Sequence, residues 1–392
     1  MRNWIERRLG EVCTLQRGFD LPTRQRKQGD YPLISSSGYT DSQAEAKVFG
    51  PGVVTGRSGS IGSVFFIDKD FWPLNTMLYV KDFHGNDPRF IFYLLSKFDL
   101  KRFASGAGVP TLNRNSVHGE LVYVTSKISE QKRIVAILDE AFEGIDRAIA
   151  LAEKNLANTR ELFDSYLNAI FTQKGDGWEE KKLKDLINIS HGYAFKGADF
   201  ETSNDVEKPI VLTPGNYSEN GELYFNAKNT KRLTSSSPPY GYIFNVGDLT
   251  VVMTDLSSKM KILGKPAFVE HQNILHNQRI GRIILKNKLV SPRYLFYFLR
   301  TRIVANKIKV TATGTMVRHT APQRILSNKI PIPKCFDDQV QVTSKLDKLY
   351  SETQRLEVIY RQKIAALNEL KQSILQKAFT GELTADTVEK VA

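Results

Sequence analysis

The sequence repeats itself, so any fold for this chain must accommodate two copies of one plan. Trp4, Leu9 and Gly18 recur as Trp178, Leu183 and Gly192, each 174 residues later, and RGF at 17–19 answers to HGY at 191–193. The offset then grows: PRFIFYLL at 88–95 matches PRYLFYFL at 292–299, 204 residues on. It settles at 208 through Gln131, Leu138, Asp139, Ser165 and Phe171, which recur as Gln339, Leu346, Asp347, Ser373 and Phe379. Insertions therefore fall in the first part of each copy, while the closing stretch keeps its length, as a long helix must.

The closing stretches carry the period of such helices. In the first, Val135, Phe142, Ile149, Leu156, Phe163 and Ile170 recur every seven residues, with Leu138, Ile145, Ala152, Thr159 and Tyr166 three positions later. In the second, Leu346, Thr353, Tyr360, Leu367 and Ile374 take the row equivalent to Leu138, flanked by Leu349, Leu356 and Leu370. This is a heptad seam, and neither stretch contains proline. About forty residues at 1.5 Å each make a rod of roughly 60 Å. A lone amphipathic helix of that length leaves its seam in water, so the two rods are expected to pack on one another, antiparallel, with Leu138, Ile145, Ala152, Thr159 and Tyr166 facing the Leu346 row. That pairing relates the copies by a pseudo-twofold axis and puts one globular domain at each end. Lys363 and Glu357 fall near seam positions that are apolar in the first rod, which leaves the register open.

The globular parts read as mixed structure. GVVTGRSGSIGSVFFID and GDLTVVMTDLSS alternate apolar residues with turn formers, as strands and hairpins do. FIFYLLSKFDLKRFA and RYLFYFLRTRIVANKI have helical spacing. The expected fold class is α+β: two homologous mixed domains separated by two long antiparallel coiled-coil helices. The boundaries are 1–127 and 175–335 for the domains, 128–174 and 336–380 for the helices, and 381–392 for a tail.

Charge separates along the same lines. Lys+Arg exceed Asp+Glu by 5 in residues 1–127 and by 11 in 176–335, whereas 128–175 and 336–392 are at −2 and −1. A basic excess confined to two domains suits a polyanion, because each neutralised phosphate releases condensed counterions. The charged start and the absence of a long apolar run predict a cytoplasmic protein that does not meet a membrane. Cys13 and Cys335 are far apart and the six histidines show no ligand spacing, so no metal is expected.

A DNA reader needs arginine for guanine, asparagine or glutamine for adenine, and lysine or serine for phosphates. In the first domain the candidates are Arg57 and Ser58 in TGRSGSIG, Asn75 in PLNTM, Lys101 and Arg102, and Asn113 and Arg114 in PTLNRNS. In the second they are Lys259 and Lys261 in DLSSKMKILG, Asn277, Gln278 and Arg279 in LHNQRIG, and Arg318 and His319 in GTMVRHT. Several of these types also serve as surface or helix-capping residues. The Gly56, Gly59, Gly62 spacing lacks the Lys-Ser or Lys-Thr of a phosphate loop and reads as a turn between strands.

Taken in order, "W" with "RRLGEV", "GRSGSIG", "PRFIFYLL" leading to "GAGVPTLN", "SEQKRIVAILDEAF" and "LKQSILQKAFTGELT", with "ATGTMVRHT" and "KIPIPKCFDDQVQV" in the second copy, the chain resembles the specificity subunits of type I restriction and modification enzymes. The resemblance covers essentially the whole chain. It implies two target-recognition domains, each gripping one half of a bipartite, asymmetric site in double-stranded DNA, and helical regions that act as spacer and as docking surface for two modification subunits. It also implies restriction subunits, with S-adenosylmethionine, ATP and Mg belonging to those partners and no cofactor or catalytic site in this chain. No N-P-P-[FY] or D-P-P-[FY] tetrapeptide and no G-x-x-x-x-G-K-[ST] occurs. Two rival readings are a fused enzyme, which needs one of those motifs, and a coiled-coil scaffold that binds only proteins.

Overall fold

Each copy of the repeat folds around a four-stranded antiparallel sheet. The structure is a computed structural model that describes residues 4–106, 108, 110–203, 205–235 and 238–384. Its helices in chain order are α1 (Leu9–Val12), α2 (Pro88–Lys97), α3 (Arg114–His118), α4 (Ile128–Gln173), α5 (Leu183–Leu186), α6 (Pro292–Arg300), α7 (Arg302–Thr311), α8 (Pro322–Leu326) and α9 (Phe336–Ala378). Of the tail expected over 381–392, residues 385–392 lie outside the described residues, as do Ala107 and Val109 of the GAGVPTLN motif.

The chain divides into two compact units, Met1–Lys154 with Tyr360–Ala392, and Asn155–Ile359. Each unit takes one of the globular parts together with part of each long helix. The reason is packing. In the first unit the end of α9 (Leu375 and Ala378) and Phe379 just past it share a core with Ile134, Leu138 and Phe142 of α4 and Phe90, Leu94 and Leu95 of α2. In the second unit Phe163, Leu167 and Phe171 of α4 share a core with Tyr294, Tyr297 and Phe298 of α6 and Leu346 of α9.

Within each unit the long helices run antiparallel. Asp146 accepts from Lys371 at 2.7 Å in the first unit, and Arg160 grips Glu357 through two bonds of 2.9 and 2.8 Å in the second. Glu357, an oddity in the seam when read alone, is buried and matched by that arginine, while Lys363 lies on the exposed side. Of the predicted packing row, Leu138, Ile145, Ala152, Leu346 and Thr353 are buried, and Thr159, Tyr360, Leu367 and Ile374 are half-buried. Tyr166 is a correction: it is exposed, and the buried face there runs through Phe163, Leu167 and Phe171. A helix of 3.6 residues per turn drifts about 20° per heptad, and at this end α4 turns its face to the aromatic side chains of α6, with Phe171 5.1 Å from Tyr294 and 5.4 Å from Phe298.

The antiparallel four-stranded sheet has one topology in both domains. In the first unit the order is Thr14–Arg17, Met77–Asp82, Gly52–Gly56, Val64–Ile67, and in the second Ile187–His191, Ile280–Leu285, Leu249–Val252, Pro266–Phe268. Trp4–Arg8 pairs with Leu121–Thr125 and Glu179–Lys182 with Lys329–Ile332, so in each copy the first strand joins the strand that closes the domain. Helices α2 and α6 start alike, with proline in the first turn behind a capping side chain: Asp87 accepts from the amides of Arg89 and Phe90, and Ser291 from that of Tyr294.

The repeated polar residues build one joint twice. Gln131 of α4 accepts from the Asp87 amide at 2.8 Å, and Gln339 of α9 accepts from the Ser291 amide at 3.0 Å. Asp139 accepts from Arg89 at 2.8 Å and from the Tyr93 hydroxyl, and Asp347 does the same with Arg293 at 2.8 Å and Tyr297 at 2.5 Å. In each unit a domain helix is thereby tied to the first turns of the long helix that follows it.

Candidate nucleic-acid interface

In each unit several of the loops that carry the candidate readers meet at one junction. In the first, the strand Gly52–Gly56 is wholly buried and ends in the turn 57–63. That turn is shaped by glycine: Gly59 and Gly62 have φ of 81° and 84°, where L side chains are strained. The amides of Arg57 and Ser58 both donate to the Thr76 carbonyl, at 2.8 and 3.2 Å, and the Leu112 amide donates to Arg57 at 2.8 Å. Three separate segments are thus stitched together by backbone bonds.

Around that junction Arg57 and Arg114 line a cleft with Arg17, Asn113 and Asn115, and among the described residues no acid lines it. Arg57 leans on the Asn75 carbonyl at 3.4 Å, while the Asn75 amide is held by Asp20. Asn113 caps α3 by accepting from the Asn115 amide at 3.0 Å. Lys101 is exposed, near the turn at Gly62. Arg102 is paired with Glu120 and lies 4.6 Å over the Phe103 ring.

In the second unit the equivalent junction joins Thr254–Asp255 to Arg318–His319 as a short antiparallel pair, and the Met253 amide donates to the Arg279 carbonyl at 2.9 Å. His319 Nδ1 is 3.1 Å from the Thr254 hydroxyl. Gln278, Arg279 and His319 are exposed here, and Arg318 is half-buried. Asn277 is not: it is buried and accepts from the Arg279 amide at 2.9 Å, which shapes the turn that presents its two neighbours. Lys259 is exposed, whereas Lys261 is paired with Glu219 at 2.6 Å and faces a different cleft.

Residues not singled out as readers hold these loops. A Cβ on Gly18 would lie 2.2 Å from the Leu74 carbonyl oxygen, and one on Gly192 2.3 Å from that of His276. Only glycine permits that approach, and it lets Phe19 and Tyr193 bond the loops bearing Asn75 and Gln278. Both glycines were visible as repeat markers. His276 is buried beneath its loop, 4.5 Å from the Phe244 ring, with Nε2 2.9 Å from the Ile280 carbonyl. Burial, with Arg282 and His191 nearby, pushes its pKa down to about 4, so the ring is neutral and Nε2–H donates.

Among the described residues no cluster of His, Cys, Asp or Glu is placed to hold a metal, and no helix is long and apolar enough to cross a membrane. Cys13 is buried and Cys335 exposed, both as free thiols.

A model of the type I restriction modification DNA specificity domain matches residues 1–155 and 175–366. The type I restriction enzyme MjaVIII specificity subunit of Methanocaldococcus jannaschii is 23% identical over 388 residues, spanning 91% of this chain and 87% of that protein. The EcoBI specificity subunit of Escherichia coli is 22% identical over 230 residues, 59% of this chain and 44% of that one. Among solved structures, a chain from work on complex assembly and conformational transition of the type I R-M system superposes with a TM-score of 0.74 at 16% identity, over 98% of this chain and 99% of that one. The HsdS subunit from Thermoanaerobacter tengcongensis does so with a TM-score of 0.52 at 16% identity, over 98% of each chain. These likenesses bear on the fold.

Proposed function

We propose a DNA-reading role from the premise that this chain belongs to the type I restriction modification DNA specificity family. It acts as the specificity subunit of such a system, without catalysis of its own, and each domain reads one half of a bipartite, asymmetric target. The observation that carries this reading is the repeated junction: in each unit three loops converge, and each junction displays arginine beside amide or imidazole groups. Arginine forks match guanine edges and amides match adenine.

On this reading α4 and α9 fix the distance between the two reading sites and offer their exposed faces to two modification subunits. Those subunits bring S-adenosylmethionine, and restriction subunits bring ATP and Mg, in the cytoplasm where the DNA lies. The deciding experiment measures binding of the chain, assembled with modification subunits, to duplex DNA over a salt series. Specific binding that weakens steeply with salt is expected. Protein assembly with no DNA affinity would establish the scaffold reading instead, and methyl transfer by the chain alone would establish a fused enzyme.

A further inference from the structure

A cleft within the second unit uses none of Gln278, Arg279, Arg318 and His319 and has the lining of an anion site. Arg300, the last residue of α6, stands in its wall at 8% exposure. Its guanidinium lies 4.6 Å from the Tyr350 ring and 5.3 Å from those of Phe163 and Phe296, so aromatic faces hold it in place. Nη1 is buried with no hydrogen-bond partner. Buried donors are nearly always satisfied, so the guanidinium in this wall is left one hydrogen bond short.

The charges around it point the same way. Three acids line the cleft, and each is already held: Glu357 by Arg160 at 2.8 Å, Glu219 by Lys261 at 2.6 Å and Asp164 by Arg302 at 3.5 Å. Lys265 and Lys309 line it too, and among the described residues neither they nor Arg300 has a carboxylate partner. Burial, and then Arg300, lower the pKa of Lys265 while Asp164 and Glu219 partly offset them, so the ammonium form is disfavoured until a further negative charge sits beside it. The corresponding cleft of the first unit has Ser96 where the second has Arg300, and Asp139, Glu143 and Asp146 against Arg89 and Lys371. The cationic character therefore belongs to one copy of the repeat and is no by-product of the shared scaffold.

We propose that this cleft binds a phosphate group carried on a small molecule, with the Arg300 guanidinium, Lys265 and Lys309 neutralising it. A tetrahedral dianion takes donors from several directions and offsets more than one cation, which a monovalent ion does not. A duplex presents its phosphates along a convex ridge, unsuited to a recess that covers its arginine so fully.

Thermal melting of the full-length chain, followed at constant ionic strength in sodium chloride, inorganic phosphate and ATP, tests this. Phosphate, ATP or both should raise the midpoint saturably while chloride does not. A response to ATP alone assigns the phosphate to a nucleotide, and a response to inorganic phosphate shows that the group itself suffices. Arg300→Gln should weaken that binding about tenfold or more, the loss expected for a charge-assisted bond. If that variant does not fold, Lys309→Ala is read in its place. No saturable shift in either probe, or unchanged affinity in the folded variants, overturns the proposal. So does an Arg300→Gln chain that loses DNA recognition when phosphate never bound.

Discussion

At the scale of single residues, the proposed readers differ from the residues beneath them in how they are held. Arg57 and Gln278 are presented by loops whose backbones are bonded elsewhere, so replacing either side chain removes a contact and leaves its loop in place. Arg57→Ala should relax the first half-site by about 1–3 kcal/mol and leave the second unchanged, with Gln278→Ala doing the reverse. Methylation of target variants altered in one half at a time measures this, and uniform weakening across sequences would mark the side chain as a phosphate contact. His276 acts from below. Its pKa in the fold, about 4, lies under the ordinary 6.5. Between those values the unfolded chain takes up a proton that the folded one refuses, so stability is full above pH 6.5 and is lost as pH falls toward 4. A difference on the order of 3 kcal/mol should open over that window between the native chain and His276→Gln, in urea titrations across pH. Parallel curves would contradict it.

At the scale of elements, the joints between domain and long helix govern stability. Phe379, just past α9, is 1% exposed and packs 5.1 Å from Phe90 of α2, although 289 residues separate them in the chain. Phe379→Ala should cost about 3–5 kcal/mol, as burying an empty ring-sized space does. Tyr166→Ala, on the exposed side of α4, should cost much less, and a urea titration of both variants separates the two sites. The long helices were legible because a seven-residue period over forty residues has few other meanings. Their packing was less so. Tyr166 fits the heptad on paper, but its end of α4 is shaped by Tyr294 and Phe298, which lie over 120 residues away in the chain. Glu357 looked out of place until Arg160 was found across from it. Among candidate readers some side chains are engaged within the fold, which the sequence does not show. Arg102, Asn277 and Lys261 have the right chemistry in the right segments, yet Glu120, the Arg279 amide and Glu219 occupy them. Such pairings are set by tertiary contact, which a linear motif does not carry.

At the scale of the whole molecule, the division into two units passes through α4 between Lys154 and Asn155 and through α9 between Ile359 and Tyr360, so both helices contribute to both units. The proposed function gives that pair the task of a ruler. One added base pair moves a half-site about 3.4 Å and turns it by roughly a tenth of a helical turn, which a stiff spacer does not follow. Once the two half-sequences have been identified from methylated adenines, the direct test is binding of the chain with its modification subunits to a series of duplexes. These keep both halves and differ by single base pairs in the stretch between them. Affinity should peak at one length and fall roughly tenfold or more at one pair longer or shorter, about 1.4 kcal/mol. Equal affinity across several lengths would show two independently tethered readers and contradict the account.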